Sequence, residues 1–403
     1  MTVRLPHQAR RTQKGRECVD SEDFEGIRSV VRDFVRTTVV PAENDIDERD
    51  EVPTEIREAA KRMGLFGFAL PEAYGGLGLS MEAESRIVIE LGYTTPALRS
   101  MFGTNNGIAG HVLMEGGTPG QKEEWLPRIA SGDAVASFAL TEADAGSDPS
   151  GMTTTAVPDG NEWVINGAKR YITNAPLADV FMVFARTDPV ARASRGISTF
   201  LVPRGTPGLS VGPRDHKMGQ FGAWTADVNF DDVRVPASAL VGEEAGQNTG
   251  WATAMRCLAH GRIHIAALCV GMAERLVDES VEYARTRKQS GRPIAGFQLI
   301  QGLIADSVTE FQAGRSLVLA SARAFDDGSD RKVGPSTAKY FCSEMVGRVA
   351  DRAVQIHGGA GYMRGVAVER FFRDARLFRI YEGTSQIQQV IIARHVIGDA
   401  VDG

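Results

Sequence analysis

The features this chain of 403 residues lacks narrow its reading first. Its four cysteines, Cys18, Cys257, Cys269 and Cys342, stand far apart, with no CxxC pair and no histidine spacing that suggests zinc. Free thiols in a reducing compartment are expected, and no metal site. No uninterrupted apolar run approaches the roughly 20 residues that a spanning helix needs, so a soluble protein without a membrane span is expected. No block of like charge is dense enough to read as a polyanion patch, and the formal net charge of -6 is spread over the whole length. Nucleic acid is therefore not an expected partner. Residues 1–16 are basic and almost free of acids, which suits a short transit peptide, but Pro6 and the lack of a clear amphipathic period favour a disordered tail over that alternative. Residues 1–20 are expected to be a disordered tail, and the location cytoplasmic, of bacterial type, ahead of a mitochondrial matrix.

A chain of this length exceeds the size at which one core usually keeps growing, so two or three packed units are expected. Phe24, Ile27, Val31 and Phe34 recur at spacings of three and four, which predicts an amphipathic helix with Asp20 as N-cap and Pro41 as its stop. Similar patterns over 54–63, 81–91 and 122–130 make residues 21–135 helical. The pattern then changes. Segments 136–140, 180–185, 197–202 and 228–235 are rich in β-branched or aromatic residues, and Asn166-Gly167 suits a tight hairpin turn between 163–165 and 169–172. A β-domain is expected over 136–245. Helical periodicity returns over 251–287, 297–325 and 336–356, predicting an antiparallel bundle within 246–403. Arg262 falls on the apolar stripe of Leu258, Ile265, Cys269, Met272 and Leu276, where a cation needs a partner; an internal salt bridge is one answer.

Three segments could carry chemistry. Leu140-Thr141-Glu142-Ala143-Asp144-Ala145-Gly146-Ser147-Asp148 follows a strand and gathers backbone N–H groups and hydroxyls in a sharp turn, suited to a cofactor edge or a phosphate, or simply to a solvated loop. Gln355-Ile356-His357-Gly358-Gly359-Ala360-Gly361 runs a helix into three glycines, more than a simple C-cap requires. Tyr381-Glu382-Gly383-Thr384-Ser385-Gln386 precedes an apolar helical run over 387–397. Ser385 and Gln388 have capping-box spacing, which puts Glu382 just outside that helix's N-terminus. The helix dipole favours an ionised carboxylate there and an apolar pocket opposes it, a balance that a base needs; an acid before a helix is also ordinary decoration of the terminus.

Together with Arg373-Asp374-Ala375, these segments resemble the acyl-CoA dehydrogenase family over nearly the whole chain, residues 24–398. The resemblance implies an α+β fold: an N-terminal helical domain, a middle β-barrel-like domain and a C-terminal four-helix bundle. It implies FAD, with Phe138, Leu140 and Thr141 at the flavin's pyrimidine edge and Gly146 and Ser147 beside the cofactor and the CoA arm. Tyr171, Ile172 and Thr173 would cover the isoalloxazine. Arg287, Gln289, Phe297, Gln298, Gln355, Gly358 and Gly359 would reach the FAD of a neighbouring subunit, so a homotetramer, a dimer of dimers, is implied. Thr384 and Gln386 match further cofactor positions. Ser147, Arg262, Tyr381, Glu382 and Gly383 match substrate positions, Arg262 near the CoA moiety, which replaces the salt-bridge reading.

The implied reaction is α,β-dehydrogenation of an acyl-CoA, as in fatty-acid β-oxidation. Glu382 removes the α-proton while hydride leaves Cβ for flavin N5, and the electrons pass to an electron-transfer flavoprotein. Two oxyanion donors, the Glu382 N–H and a ribityl hydroxyl, could together supply about 6 to 8 kcal/mol if additive. Three positions depart from the family pattern or vary within it: Gly365 replaces a usual Asp, Glu or Asn, Ser290 replaces a common Phe, and Gly261 stands where some members carry their glutamate. The alternatives are an acyl-CoA oxidase, against which the length argues, and a non-catalytic FAD-binding subunit, against which the presence of Glu382 argues.

Overall fold

The computed structural model describes residues 21–191 and 193–398. Cys18, Asp20 and the expected tail lie outside them. Helix α1 (Ser21–Phe34) buries Phe24, Val31 and Phe34, as its spacing requires. Pro41 does not stop it. A π-helical turn over Val35–Val39 leads directly into α2 (Val40–Arg49), with Pro41 in its first turn. There follow α3 (Thr54–Arg62), α4 (Met81–Gly92), α5 (Pro96–Asn106), α6 (Ile108–Gly116) and α7 (Pro119–Ser131).

The middle of the chain is one curled sheet of β1 (Ala136–Ala139), β2 (Thr155–Asp159), β3 (Glu162–Thr173), β4 (Val180–Arg186), β5 (Ile197–Pro203), β6 (Leu209–Arg214) and β7 (Thr225–Pro236). β1 runs parallel to β4, β4 antiparallel to β5, and β2, β3, β7 and β6 form antiparallel neighbours. A single parallel pairing, Thr155 with Arg186, joins the two halves. Asn166-Gly167 is not a hairpin turn. It is a bulge within continuous β3, where the register against β7 shifts between Ile165 and Gly167. Asn166 exchanges two hydrogen bonds with Asp232 across the sheet, which satisfies the side chain without reversing the strand. The reversal lies one turn earlier, at Gly160 (φ 62°), between the paired Asp159 and Glu162.

After the short α8 (Glu243–Gly246), the long α9 (Gly250–Thr286) forms the axis of the helical part. A two-stranded hairpin, β8 (Lys288–Gln289) and β9 (Arg292–Pro293), turns on Ser290 (φ 51°) and Gly291 (φ 77°). Then come α10 (Gln298–Asp327), α11 (Val333–His357), α12 (Ala367–Ala375) and α13 (Ser385–Ile397). Helix α9 packs against α4, α10 and α11, so N- and C-terminal helices share one apolar core. At the α4–α9 crossing the backbones nearly touch: a β-carbon on Gly271 would overlap the Ile89 carbonyl, and one on Gly92 the Leu268 carbonyl. Sheet and bundle are joined at Asp374 of α12. Its buried carboxylate accepts the Gln220 N–H, and the Gln220 side chain donates to the Asp374 carbonyl at 3.1 Å. No helix among the described residues is long and apolar enough to cross a membrane.

Candidate active site

Glu382 sits in a left-handed conformation (φ 53°) followed by Gly383 (φ 89°), between α12 and α13. A non-glycine residue there costs about 1 to 2 kcal/mol, so its surroundings must hold it. They do. Lys339 on α11 donates to the Gly383 carbonyl at 2.6 Å, and Gln388 donates to the carbonyls of Gly383 at 3.0 Å and Glu382 at 3.3 Å. The cap of α13 differs from the expected capping box: Thr384, not Ser385, is the N-cap, accepting the Ile387 N–H at 3.2 Å. Ser385 turns inward to donate to Glu344 at 2.6 Å, and Gln388 reaches back to the loop carbonyls instead of the cap N–H.

The Glu382 carboxylate projects from this loop among three cations, Arg99, Lys339 and Arg262. Its Oε2 is sealed from solvent and has no hydrogen-bond partner among the described residues. Burial raises its pKa above the ordinary 4.5, against the pull of Arg99, Lys339 and Arg262. A carboxylate raised by desolvation and left without donors is a stronger base than a solvated one. Arg262 is 6% exposed, has its Nε unpartnered and touches Ser336 at 3.4 Å; no salt bridge forms there among the described residues.

Opposite stands the turn after β1. Its shape comes from a pair the sequence reading did not single out: the Lys169 ammonium, wholly buried in β3, donates to Glu142 at 2.8 Å and to the Leu140 carbonyl at 3.1 Å. Glu142 also accepts the backbone N–H groups of Thr153 and Thr154 at 2.7 and 3.0 Å. Burial alone would raise its pKa, but Lys169 and these donors outweigh it and hold Glu142 down to about 2. With the turn so fixed, Thr141 accepts from the Arg170 N–H at 2.8 Å. Tyr171 (φ 58°) then breaks the register between Lys169 and Ile172, and residues 171–173 form a raised wall.

One cavity of about 380 Å³ gathers these parts. Phe138, Leu140, Thr141, Gly146, Ser147, Tyr171, Ile172 and Thr173 line one side; Arg262, Tyr381, Glu382 and Gly383 line the other. Its depth is set by Arg99, Ser100, Gly103 and Thr104 of α5 with Trp251, Met255 and Leu258 of α9. The remaining expected residues lie elsewhere. Arg287, Gln289, Gln298, Gln355, Gly358 and Gly359 are exposed at one end of the bundle, where an apolar cluster of Ala284, Ile294 and Ile356 with Phe297 joins their segments. Thr384 and Gln386 begin α13, Gln386 exposed, and neither lines the cavity. Lys339 escaped the sequence reading and Gln388 entered it only as a helix-cap partner; for Lys339 the available signal was a cation inside an otherwise apolar or small-residue helix.

Family models cover all three parts of the chain: the acyl-CoA dehydrogenase N-terminal domain over residues 21–133, the middle domain over 137–233 and the C-terminal domain over 248–397. The chain belongs to the acyl-CoA dehydrogenase family. It is 38% identical over 374 residues to a caffeyl-CoA reductase–Etf complex subunit of Acetobacterium woodii, covering 93% of this chain and 98% of that one. An acyl-CoA dehydrogenase of Bacillus subtilis is 37% identical over 372 residues, covering 92% and 97%. Butyryl-CoA dehydrogenase of Megasphaera elsdenii superposes with a TM-score of 0.89 at 32% identity, covering 93% and 98%.

This acyl-CoA dehydrogenase family is one of flavoproteins and oxidoreductases. The cavity fits a flavin ring in two respects. The wall offers an apolar face with hydroxyls at its edge, from Thr141, Ser147 and Thr173, and Gly146 leaves open space in which a β-carbon would meet nothing within 4 Å. Glu382 lines the same cavity, so a thioester beside that ring would lie next to it.

Proposed function

We propose that this protein is an FAD-dependent acyl-CoA dehydrogenase in which Glu382 removes the α-proton of a thioester. The observation that carries this reading is the Glu382 carboxylate, raised in basicity by burial and lining the same cavity as residues 171–173. The bound FAD would supply the hydride acceptor. Phe138, Leu140, Thr141, Tyr171, Ile172 and Thr173 hold the ring, and Ser147 and Arg262 hold the CoA end of the substrate. Among the described residues the Glu382 N–H has no backbone acceptor, which leaves it free to donate to the thioester oxygen as negative charge builds there. Tyr381 and Gly383 fix the approach, and the apolar walls exclude water, which raises the strength of both proton transfer and oxyanion binding.

Arg287, Gln289, Phe297, Gln298, Gln355, Gly358 and Gly359 serve the FAD of a neighbouring subunit in a homotetramer, and Thr384 and Gln386 take further cofactor positions. The exposure of Arg287, Gln289, Gln298, Gln355, Gly358 and Gly359, beside the 86% exposed Leu299 and the 83% exposed Tyr362, supports that arrangement. An electron-transfer flavoprotein is the proposed electron partner, as the name of the Acetobacterium relative suggests. That relative also favours a second reading, reduction of a 2-enoyl thioester, in which the same Glu382 delivers the proton it would otherwise take.

The test is to purify the protein, record its flavin spectrum and add acyl-CoAs without oxygen, then repeat with reduced flavin and 2-enoyl-CoAs. Bleaching in the first arm and a faster forward than reverse rate support dehydrogenation. A colourless protein that cannot take up FAD, or one that no thioester oxidises or reduces, sinks it.

A further inference from the structure

Behind the acyl cavity, α9 carries His260 and His264 four residues apart, which puts both imidazoles on one face of the helix. That face meets Glu84 of α4. The Glu84 Oε2 lies 2.7 Å from His264 Nε2 and 2.9 Å from His260 Nε2, and all three side chains are buried. The close α4–α9 crossing at Gly92 and Gly271 is what brings them together. Only the His264 contact is aligned as a hydrogen bond. Among the described residues both ring nitrogens of His260 lack a partner, although the residue is only 3% exposed. His111 of α6 stacks on the same ring, with centroids 3.9 Å apart, and its Nδ1 is also without a partner.

A buried imidazole with two empty nitrogens is a loss that a finished hydrogen-bond network avoids. The same residues supply what a metal requires. Two histidines at i and i+4 of one helix, with a glutamate from elsewhere, make a His2Glu donor set of the kind that holds zinc. The ligand atoms of Glu84, His260 and His264 lie within 4.8 Å of one another. Ligands bound at about 2.0 to 2.1 Å stand about 2.9 Å apart at a right angle and about 3.3 Å apart at the tetrahedral angle. The separations of 2.7 and 2.9 Å therefore call for little movement. Nitrogen donors exclude calcium and magnesium, which take oxygen.

Arg99 of α5 is both the obstacle to a metal and the way in. It lines the acyl cavity, and its guanidinium lies 3.4 Å from His264 Nδ1. An arginine has only donors, so Nδ1 accepts in that contact and the ring's proton is on Nε2, directed at Glu84. A metal on Nε2 moves that proton to Nδ1 and sets donor against donor. Arg99 must then swing away, and the space open to it is the cavity it already lines. We propose that Glu84, His260 and His264 form a site for a divalent transition-metal ion of the zinc class, reached through the cavity past Arg99, and that its occupancy drives the Arg99 side chain into the active site. There Glu382 is the one carboxylate on the cavity wall among the described residues, and the displaced guanidinium pairs with it. The site is thus inhibitory.

The test uses FAD-loaded protein stripped by a chelator and then dialysed against zinc chloride, with bound zinc measured by atomic emission. Cobalt chloride gives a second reading through its visible ligand-field bands. Wild type should take up one equivalent. His260→Gln and His264→Gln should each weaken uptake by more than the roughly 100-fold that loss of an outer-shell contact can cost. Arg99→Met, which removes the competing donor and its charge, should tighten uptake by about 10-fold, an effect that a surface site would not show. Wild type that takes up no zinc, uptake that survives both histidine variants, or an Arg99→Met affinity equal to that of wild type overturns the site; the Arg99 arm decides alone if the histidine variants do not fold. Zinc should also slow flavin reduction by a saturated acyl-CoA in step with its uptake, an arm that rests on reading the cavity as an acyl-thioester site. Full uptake with an unslowed rate overturns the displacement of Arg99. A flavin that no thioester reduces in zinc-free protein defeats the dehydrogenase reading, while uptake still decides the metal site.

Discussion

Gly261 and Glu382 compete for one volume: α9 passes so near the loop that a β-carbon on Gly261 would collide with the carboxylate's Oε2. The proposed base thus has its position because residue 261 has no side chain. Gly261→Ala should push the carboxylate away from the substrate's α-carbon. A displacement of about 1 Å costs roughly 100-fold, so flavin reduction should fall by about that factor while bound FAD and the thermal midpoint change little. An alanine variant of wild-type rate would show that the carboxylate has other room.

The same proximity makes the two positions interchangeable as sources of a carboxylate. Glu382→Gly should abolish flavin reduction, and adding Gly261→Glu should restore part of it, whereas Gly261→Glu alone should be inactive because two carboxylates crowd one space. Single-turnover reduction under anaerobic conditions separates these outcomes. No rescue in the double variant would mean that 261 cannot present its side chain to the reacting carbon.

As the proposed base, Glu382 must be ionised to accept a proton, so the reduction rate should rise with pH through an apparent pKa above 4.5, the direction in which burial moves it. The Lys339 ammonium pulls the other way, favouring the ionised form, and also fastens the Gly383 carbonyl at 2.6 Å. Lys339→Met should therefore shift the profile to higher pH as well as lower its plateau. A profile that stays in place or moves to lower pH would remove Lys339 from the base's electrostatics.

The three-part fold was legible because its signals are local. The spacing of Phe24, Val31 and Phe34, the β-branched runs near Val180 and Ile197 and the long apolar period of α9 each report one element's burial. Where a signal depends on a distant partner, the sequence misleads. Pro41 reads as a stop unless the π turn before it is known. Asn166-Gly167 reads as a turn unless Asp232 and the register of β7 are known. Helices α5 and α6 carry no clear amphipathic stripe because α5 is buried on every side, and a helix without a wet face has no period to detect.

The site divides in the same way. Glu382, Thr141 and Thr173 were found through the segments that contain them, and the structure gathers Glu382, Thr141 and Thr173 around one cavity. The side chains that hold the site in shape were not found. Lys339 and Lys169 act across 44 and 27 residues of chain through side-chain hydrogen bonds, and nothing in the neighbouring letters announces such a partner.

The Glu142–Lys169 pair gives a prediction that isolates shape from chemistry, because neither residue lines the cavity. Removing one member leaves the other's charge buried, a loss of about 3 to 5 kcal/mol, so Lys169→Met should lower the thermal midpoint and weaken FAD retention by loosening the turn at 140–148. The pH dependence carries the sign. Glu142 is held below its unfolded value of 4.5, so the pair's contribution is complete above 4.5 and is lost as pH falls toward about 2. Wild type should therefore lose stability across that window more steeply than Glu142→Gln, which has no proton to take up. Parallel acid-unfolding curves for the two proteins would refute the assignment of Glu142 as the paired carboxylate.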